Sequence, residues 1–162
     1  MRTLDQTIPN VFGAMAAMRS PQKNAIILAS RIQVDARRLF YALSLPEYME
    51  AWVQPPDPEE ELVFESVTRE RFQIDVYRAG ARRASVHGST FVGSRTKIRY
   101  VWKTIHPKGV THTAVDLWVL GGLDRYVVGL RHCGFREMTE QAWHRRMWGR
   151  SMQRLGSLIG TG

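Results

Sequence analysis

The stretch LRHCGFREMTEQAWHRRMWGRSMQRLGSLI, residues 130–159, decides the fold predicted for this chain. Its first six residues read as the end of a β-strand, and Gly134 marks the turn that follows. Trp148, Met152 and Leu155 then recur at the spacing of one helix face. A strand that passes through a glycine turn into one long C-terminal helix predicts a helix lying across a curved sheet, with a cavity between them.

Residues 25–61 are predicted to form a strand, two helices and a loop. In chain order these are Ala25–Val34, Ala36–Leu43, Pro46–Val53 and Gln54–Glu61. Asp35 occupies the N-cap position of the first helix. Ser44 and Glu47 have the capping-box spacing and are expected to begin the second helix. The loop is rich in proline and acidic residues, which do not continue a helix.

A long β region follows, and its alternation of apolar and polar residues indicates antiparallel strands. The predicted strands and the final helix are Phe72–Tyr77, Arg82–Val92, Lys97–Lys103, Val110–Leu120, Leu123–His132 and Glu137–Ile159. Gly93 and Ser94 are expected to end the second of these strands. Gly121 and Gly122 are expected to form the last hairpin turn.

Length and composition indicate a single globular domain. The chain has 162 residues, 44% of them apolar, and no apolar run long enough to span a bilayer. The single cysteine, Cys133, excludes an internal disulfide and favours a cytoplasmic location. Residues 1–20 do not match a signal peptide and are interpreted as an N-terminal extension to a domain covering residues 21–162.

The net charge of +8 raises the question of a polyanionic partner. The arginines are dispersed, and on the last helix Arg146 and Arg150 fall opposite Trp148. No zinc-finger, RRM-type or helix-turn-helix pattern accompanies them. We therefore expect a solvated basic surface and no specific nucleic-acid site.

Four segments together resemble a known superfamily. They are residues 36–52 (ARRLFYALSLPEYMEAW), 98–102 (IRYVW), 130–135 (LRHCGF) and 144–155 (HRRMWGRSMQRL). In this order they resemble the SRPBCC superfamily, which includes START and birch-pollen-allergen-like domains. Within it they are most similar to homologues of the activator of heat-shock protein 90 ATPase. The resemblance implies an α+β helix-grip fold: a curved antiparallel sheet around a long C-terminal helix, with two short helices after the first strand.

Motifs for catalysis, metal binding or cofactor binding are not found in the sequence. No HExxH motif, P-loop or Gly-x-Ser-x-Gly elbow occurs, so no catalytic residue, metal or cofactor is expected. His132, Cys133 and His144 are a conceivable metal set, but a local hydrogen-bonding role for His132 is the favoured interpretation. Asp116 and Asp124 are interpreted as solvated carboxylates and not as a catalytic pair.

Strand alternation and the aromatic residues indicate a ligand cavity between the sheet and the last helix. The candidate ligand-binding residues are Trp52, Ile98, Tyr100, Trp102, Val128, Leu130, His132 and Trp148. His132 is the main polar group in this otherwise apolar set. Trp118 has the opposite parity to Val115 and Leu117, which suggests the outer face and a partner interface.

Two classes of function are compatible with this pattern. The favoured one is a small-molecule binding protein that holds an apolar or amphipathic ligand, with a cyclase-like or hydrolase-like enzyme as a variant. The other is a co-chaperone-like interaction module that acts on a heat-shock ATPase. A homodimer or a protein partner is compatible with either class.

Overall fold

A computed structural model describes residues 25–159 of the chain. Seven strands form one antiparallel sheet, and their bounds are β1 Ile26–Gln33, β2 Glu60–Ser66, β3 Arg71–Arg78, β4 Ala81–Ser94, β5 Lys97–His106, β6 Gly109–Gly122 and β7 Arg125–Cys133. The spatial order of the strands is β1-β7-β6-β5-β4-β3-β2. The helices are α1 Ala36–Ser44, α2 Pro46–Met49 and α3 Met138–Ile159. The predicted N-terminal extension, residues 1–20, lies outside the described residues.

The α+β helix-grip fold predicted from the sequence is confirmed: the sheet curls around α3, and α1 and α2 follow β1. Alternation places the even-numbered residues of β5 on the inner face, where Ile98, Tyr100 and Trp102 are fully buried. Trp148 and Leu155 of α3 are also fully buried and belong to the same hydrophobic core. No helix of the described residues is long and apolar enough to cross a membrane.

The second helix begins at Pro46 as predicted, but its C-terminal end and its cap differ from the prediction. It covers only Pro46–Met49, and its N-cap residue is Leu45, which makes no side-chain capping bond. Leu45 is extended, as expected for a residue before proline, so Ser44 ends α1 and cannot cap α2. The predicted N-cap of α1 is confirmed, because the Asp35 side chain accepts a hydrogen bond from the backbone N–H of Arg38.

The strands also differ from the prediction. The strand β2 was not predicted; it begins at Glu60, inside the predicted loop, and pairs with β3 at the end of the sheet. The strand β4 continues to Ser94 because an irregularity in its pairing with β5 accommodates Gly93. The last hairpin turns at Leu123 and Asp124, both at positive φ, and not at the two preceding glycines.

Candidate functional site

A cavity of about 670 Å³ opens between the first turns of α3 and the inner faces of β3, β4 and β5. Its size lies within the range of about 300–1,000 Å³ that is usual for small-molecule sites. The lining residues come from four parts of the fold: Asp57 and Glu60; Val76, Arg78, Arg83, Ala84 and Val86; Thr104, His106, Pro107 and Lys108; and Glu137, Thr139, Glu140, Trp143, His144 and Arg146.

A group of polar side chains surrounds Glu140, whose side chain is 13% exposed, in the cavity wall. The Thr111 hydroxyl donates a hydrogen bond of 3.1 Å to Oε2 of Glu140. Nε2 of His106 lies 3.2 Å from the same hydroxyl and 4.0 Å from Oε2. Oε1 of Glu140 and Oγ1 of Thr104 are buried without a partner among the described residues.

A second carboxylate, that of Glu60, joins the edge strand to the helix across the cavity wall. The indole N–H of Trp143 donates to both oxygens of Glu60, at 2.9 and 3.3 Å. Glu60 lies in β2 and Trp143 in the second turn of α3. This contact links the edge strand to the helix where no backbone pairing connects them.

The tautomer of His132 follows from its buried partners below the cavity. The indole N–H of Trp148 donates to Nδ1 of His132 at 2.9 Å, so this nitrogen carries the lone pair. Nε2 therefore carries the proton and donates to the Thr113 hydroxyl at 2.7 Å. That hydroxyl in turn donates to the carbonyl of Trp102. His132 is thus a neutral imidazole with both nitrogens engaged, and burial lowers its pKa well below the usual range.

The tautomer of His144 is the opposite one, and its ring also lines the cavity. The indole N–H of Trp102 donates to Nε2 of His144 at 3.1 Å. Nδ1 of His144 therefore carries the proton and donates to the backbone carbonyl of Glu140 at 2.8 Å. Burial lowers the pKa of His144 to about 4, although the hydrogen bond with Glu140 acts in the opposite direction.

These hydrogen bonds bear on the conceivable metal set of His132, Cys133 and His144. All four imidazole nitrogens already have protein partners. No group of three metal-ligating side chains is found within residues 25–159.

The structure brings together the eight residues proposed as ligand-binding from the sequence. Each is at most 1% exposed, and they are Trp52, Ile98, Tyr100, Trp102, Val128, Leu130, His132 and Trp148. None of them lines the cavity of about 670 Å³, and Trp52 lines a smaller hollow of about 320 Å³ beside α1 and α2. The polar ends are engaged: Trp52 donates to the carbonyl of Ala42, and the Tyr100 hydroxyl donates to that of Leu43. The eight residues therefore lie in the packed core, and the hydrogen bond from Trp102 to His144 connects this core to the cavity wall.

Asp116 and Trp118 both lie on the outer face of β6. Asp116 is not a solvated carboxylate: its side chain is 5% exposed and receives Nε and Nη2 of Arg99 at 2.7 and 3.0 Å. Asp116 lies directly across from Arg99 in the β5–β6 pairing, a register that the sequence does not specify. Trp118 lies half-buried on the outer parity, with Nζ of Lys97 5.5 Å from its ring centre.

The residues of the polar cavity wall were missed by the sequence analysis, although part of the signal was present. Thr104 follows Trp102 by two residues, so it lies on the same inner face of β5. Glu140 precedes His144 by one helical turn. Both positions could have been found by extending each periodicity by one step. The pairing of Thr104 with Thr111 depends on strand register, which the sequence does not specify.

The curled antiparallel sheet closed around a C-terminal helix defines a helix-grip protein, the fold of START and Aha1-like proteins. The chain is similar to the AHSA1 protein from Silicibacter pomeroyi, with 16% identity, a TM-score of 0.65 and coverage of 82% of this chain and 95% of that one. A START superfamily protein from Mycobacterium smegmatis has 9% identity, a TM-score of 0.60 and coverage of 85% and 97%. The Aha1 dimer from Colwellia psychrerythraea has 13% identity, a TM-score of 0.57 and coverage of 85% and 97%.

No family model matches the sequence, and the comparison with curated proteins finds no match. At these identities the solved structures establish the fold of the chain and leave its function to be argued from the site.

Proposed function

We propose that this protein is a cytoplasmic small-molecule binding protein that holds an apolar or amphipathic ligand between the sheet and α3. The observation that carries the proposal is the cavity of about 670 Å³ beside the core. Its wall combines apolar groups, such as Val76, Val86 and Trp143, with a small polar group around Glu140. Apolar walls supply affinity, and a few convergent polar groups set the orientation of a ligand.

The eight buried residues are part of this proposal as the base of the site. Trp102 fixes the orientation of His144 through its indole N–H, and Trp148 does the same for His132. A cavity wall held by such hydrogen bonds is preorganised, which lowers the entropic cost of binding. The proposal includes no catalytic step.

The test is native mass spectrometry of the purified protein, followed by melting in the presence of an uncharged hydrophobic dye. We expect a co-purified small molecule, or a rise in melting temperature with the dye, because a ligand of the folded state stabilises it. Ala84→Trp introduces a large side chain into the cavity wall and should remove the effect of the dye. Ala81→Trp, at an exposed position of the same strand, is the matched control. An unchanged response of the Ala84 variant would contradict binding in this cavity.

A second candidate is a protein-interaction module, including a homodimer. The outer face of the sheet exposes Val101, and it also exposes the cross-strand neighbours Ile105 and Val110. One of the solved structures with this fold is a dimer. Light scattering of the purified chain would detect a dimer, and stimulation of a heat-shock ATPase would support the co-chaperone role.

A further inference from the structure

Two oxygen atoms in the cavity wall have no hydrogen-bond partner within the described chain. One is Oγ1 of Thr104, a residue that is only 5% exposed, and the other is Oε1 of Glu140. Buried polar atoms are nearly always paired, so each unpaired atom calls for an explanation. Both residues line the same cavity, so a bound molecule can supply the missing partner to each once a side-chain rotation turns the oxygen, which has less than 1 Å² of accessible surface, toward the cavity.

The two oxygens flank a common neighbour. Thr104 lies directly across from Thr111 in the β5–β6 pairing, and Thr111 donates its hydroxyl proton to Oε2 of Glu140. Side chains directly opposite on one face of a sheet are in contact range. Thr104 and Glu140 therefore both adjoin Thr111 in the cavity wall.

The chemistry of this wall favours a donor over an acceptor. A carboxylate oxygen accepts hydrogen bonds and donates none, whereas a hydroxyl does both. Within residues 25–159, the only ion-pair partner of Glu140 is Nε2 of His106, 4.0 Å from Oε2 and on the other oxygen. Arg83, Lys108 and Arg146 line the cavity at exposed positions and form no ion pair with Glu140 in the described part of the chain. The deep wall thus holds the Glu140 carboxylate, and the rest of the lining carries charges of both signs, because Asp57, Glu60 and Glu137 line the cavity as well.

We propose that the cavity selects an amphipathic molecule with a protonated amine head, which donates hydrogen bonds to Oε1 of Glu140 and Oγ1 of Thr104. This inference rests on the proposed ligand-binding function and names the chemical class of the ligand. An ammonium group matches the wall because all its polar hydrogens are donors and its charge is opposite to that of Glu140. A carboxylate or phosphate head would meet Glu140 as a like charge.

The test measures binding of three probes with the same alkyl chain, decylamine, decanol and decanoate, to the full chain by titration calorimetry below their micelle concentrations. We expect decylamine to bind at least about tenfold more tightly than decanol, and decanoate to bind most weakly. Non-specific attraction to a protein of net charge +8 would give the opposite order, with decanoate first. The ranking on the unmodified protein therefore distinguishes the site from general electrostatics.

Three variants test which residues cause the preference for decylamine. Glu140→Gln should lower the affinity for decylamine about tenfold, because the amide lacks the charge that attracts the ammonium group. The affinity for decanol should change by less than about threefold. Thr104→Val should lower the affinity for both decylamine and decanol, because both head groups donate a hydrogen bond to the hydroxyl oxygen of Thr104. Glu61→Gln removes the same charge from an exposed position on β2, outside the cavity, and should leave the ranking intact.

The outcomes separate the two proposals. Equal affinities for the three probes, or decanoate binding most tightly, would overturn the amine inference and leave ligand binding in place. A Glu140→Gln variant that is folded by circular dichroism and keeps the amine preference would also overturn it. Absence of binding by all three probes would refute both the amine inference and the proposed function.

Discussion

His132 and His144 are two imidazoles in the core that the surrounding side chains hold neutral. In each ring the lone-pair nitrogen accepts an indole N–H, from Trp148 and from Trp102 respectively. A proton added at that nitrogen would face a donor and would also place a charge in a buried site. The pKa of His144 is lowered to about 4 and that of His132 is lowered as well, and both shifts have burial as their main cause.

These shifts predict a loss of stability in mild acid. The unfolded chain takes up protons at both histidines near pH 6.5, whereas the folded protein does not. Above pH 6.5 both states are neutral and the histidines have no effect. As the pH falls from about 6.5 toward 4, the free energy of unfolding should drop by about 1.4 kcal/mol per pH unit for each histidine. Urea unfolding at pH 7, 6 and 5 measures this slope.

Two variants test whether the buried histidines cause the fall in the free energy of unfolding between about pH 6.5 and 5. His144→Gln removes one buried titrating group and should reduce the loss between pH 6.5 and 5 by about half. His112→Gln, at an exposed position, should leave most of the loss in place. If His144→Gln had the same pH dependence as the unmodified protein, His144 would not be a source of it.

The sequence predicted the inner residues of the core but not the polar cavity wall. Alternation in β5 identified Tyr100 and Trp102 correctly as inward-facing, and both are fully buried. Parity alone cannot show how far the packed side chains fill the space between sheet and helix. That depends on helix position and strand register, which bring Glu140 beside Thr111 from a sequence separation of 29 residues.

The hairpin between β6 and β7 shows why adjacent glycines differ in their importance. Gly121 has a φ of 127°, and a Cβ there would clash with the carbonyl oxygen of Arg125. Gly122 has no positive φ, and a Cβ there would meet nothing within 4 Å. The sequence marked both as turn residues, yet the turn uses Leu123 and Asp124. A glycine in a strand pattern indicates either a bend in the chain or a close approach to another backbone segment, and the sequence does not show which of the two applies.

Alanine substitutions should separate the two roles. Gly121→Ala should lower the free energy of unfolding by about 1–3 kcal/mol, because it combines an unfavourable backbone conformation with a steric clash. Gly122→Ala should cost less than about 0.5 kcal/mol, since the added methyl group points into open space. Urea melts of both variants measure the difference. Equal costs would show that the close approach at Gly121 is not required by the hairpin.

At the scale of the whole molecule, the net charge is +8, and several basic groups of residues 25–159 have partners within the chain. The chain has 23 lysines and arginines against 15 aspartates and glutamates, and some of the basic groups are paired internally. Arg99 is neutralised by Asp116, and Arg78 pairs with Glu59. Arg150 donates to the backbone carbonyls of Pro55 and Pro56, so it holds the loop before β2 against α3.

A dispersed basic surface predicts weak duplex binding that does not depend on base sequence. Phosphate contacts release counterions, so such binding falls steeply as salt increases, whereas base-edge contacts would preserve a preference between sequences. We expect fluorescence anisotropy to detect duplex DNA binding only at low ionic strength and to show none at sub-micromolar protein in about 0.15 M salt. Two duplexes of unrelated sequence should give the same curve at every salt concentration, because contacts confined to the phosphates read no bases. Sub-micromolar binding to one defined DNA or RNA at that salt would place function on the outer surface and would weaken the case for the cavity.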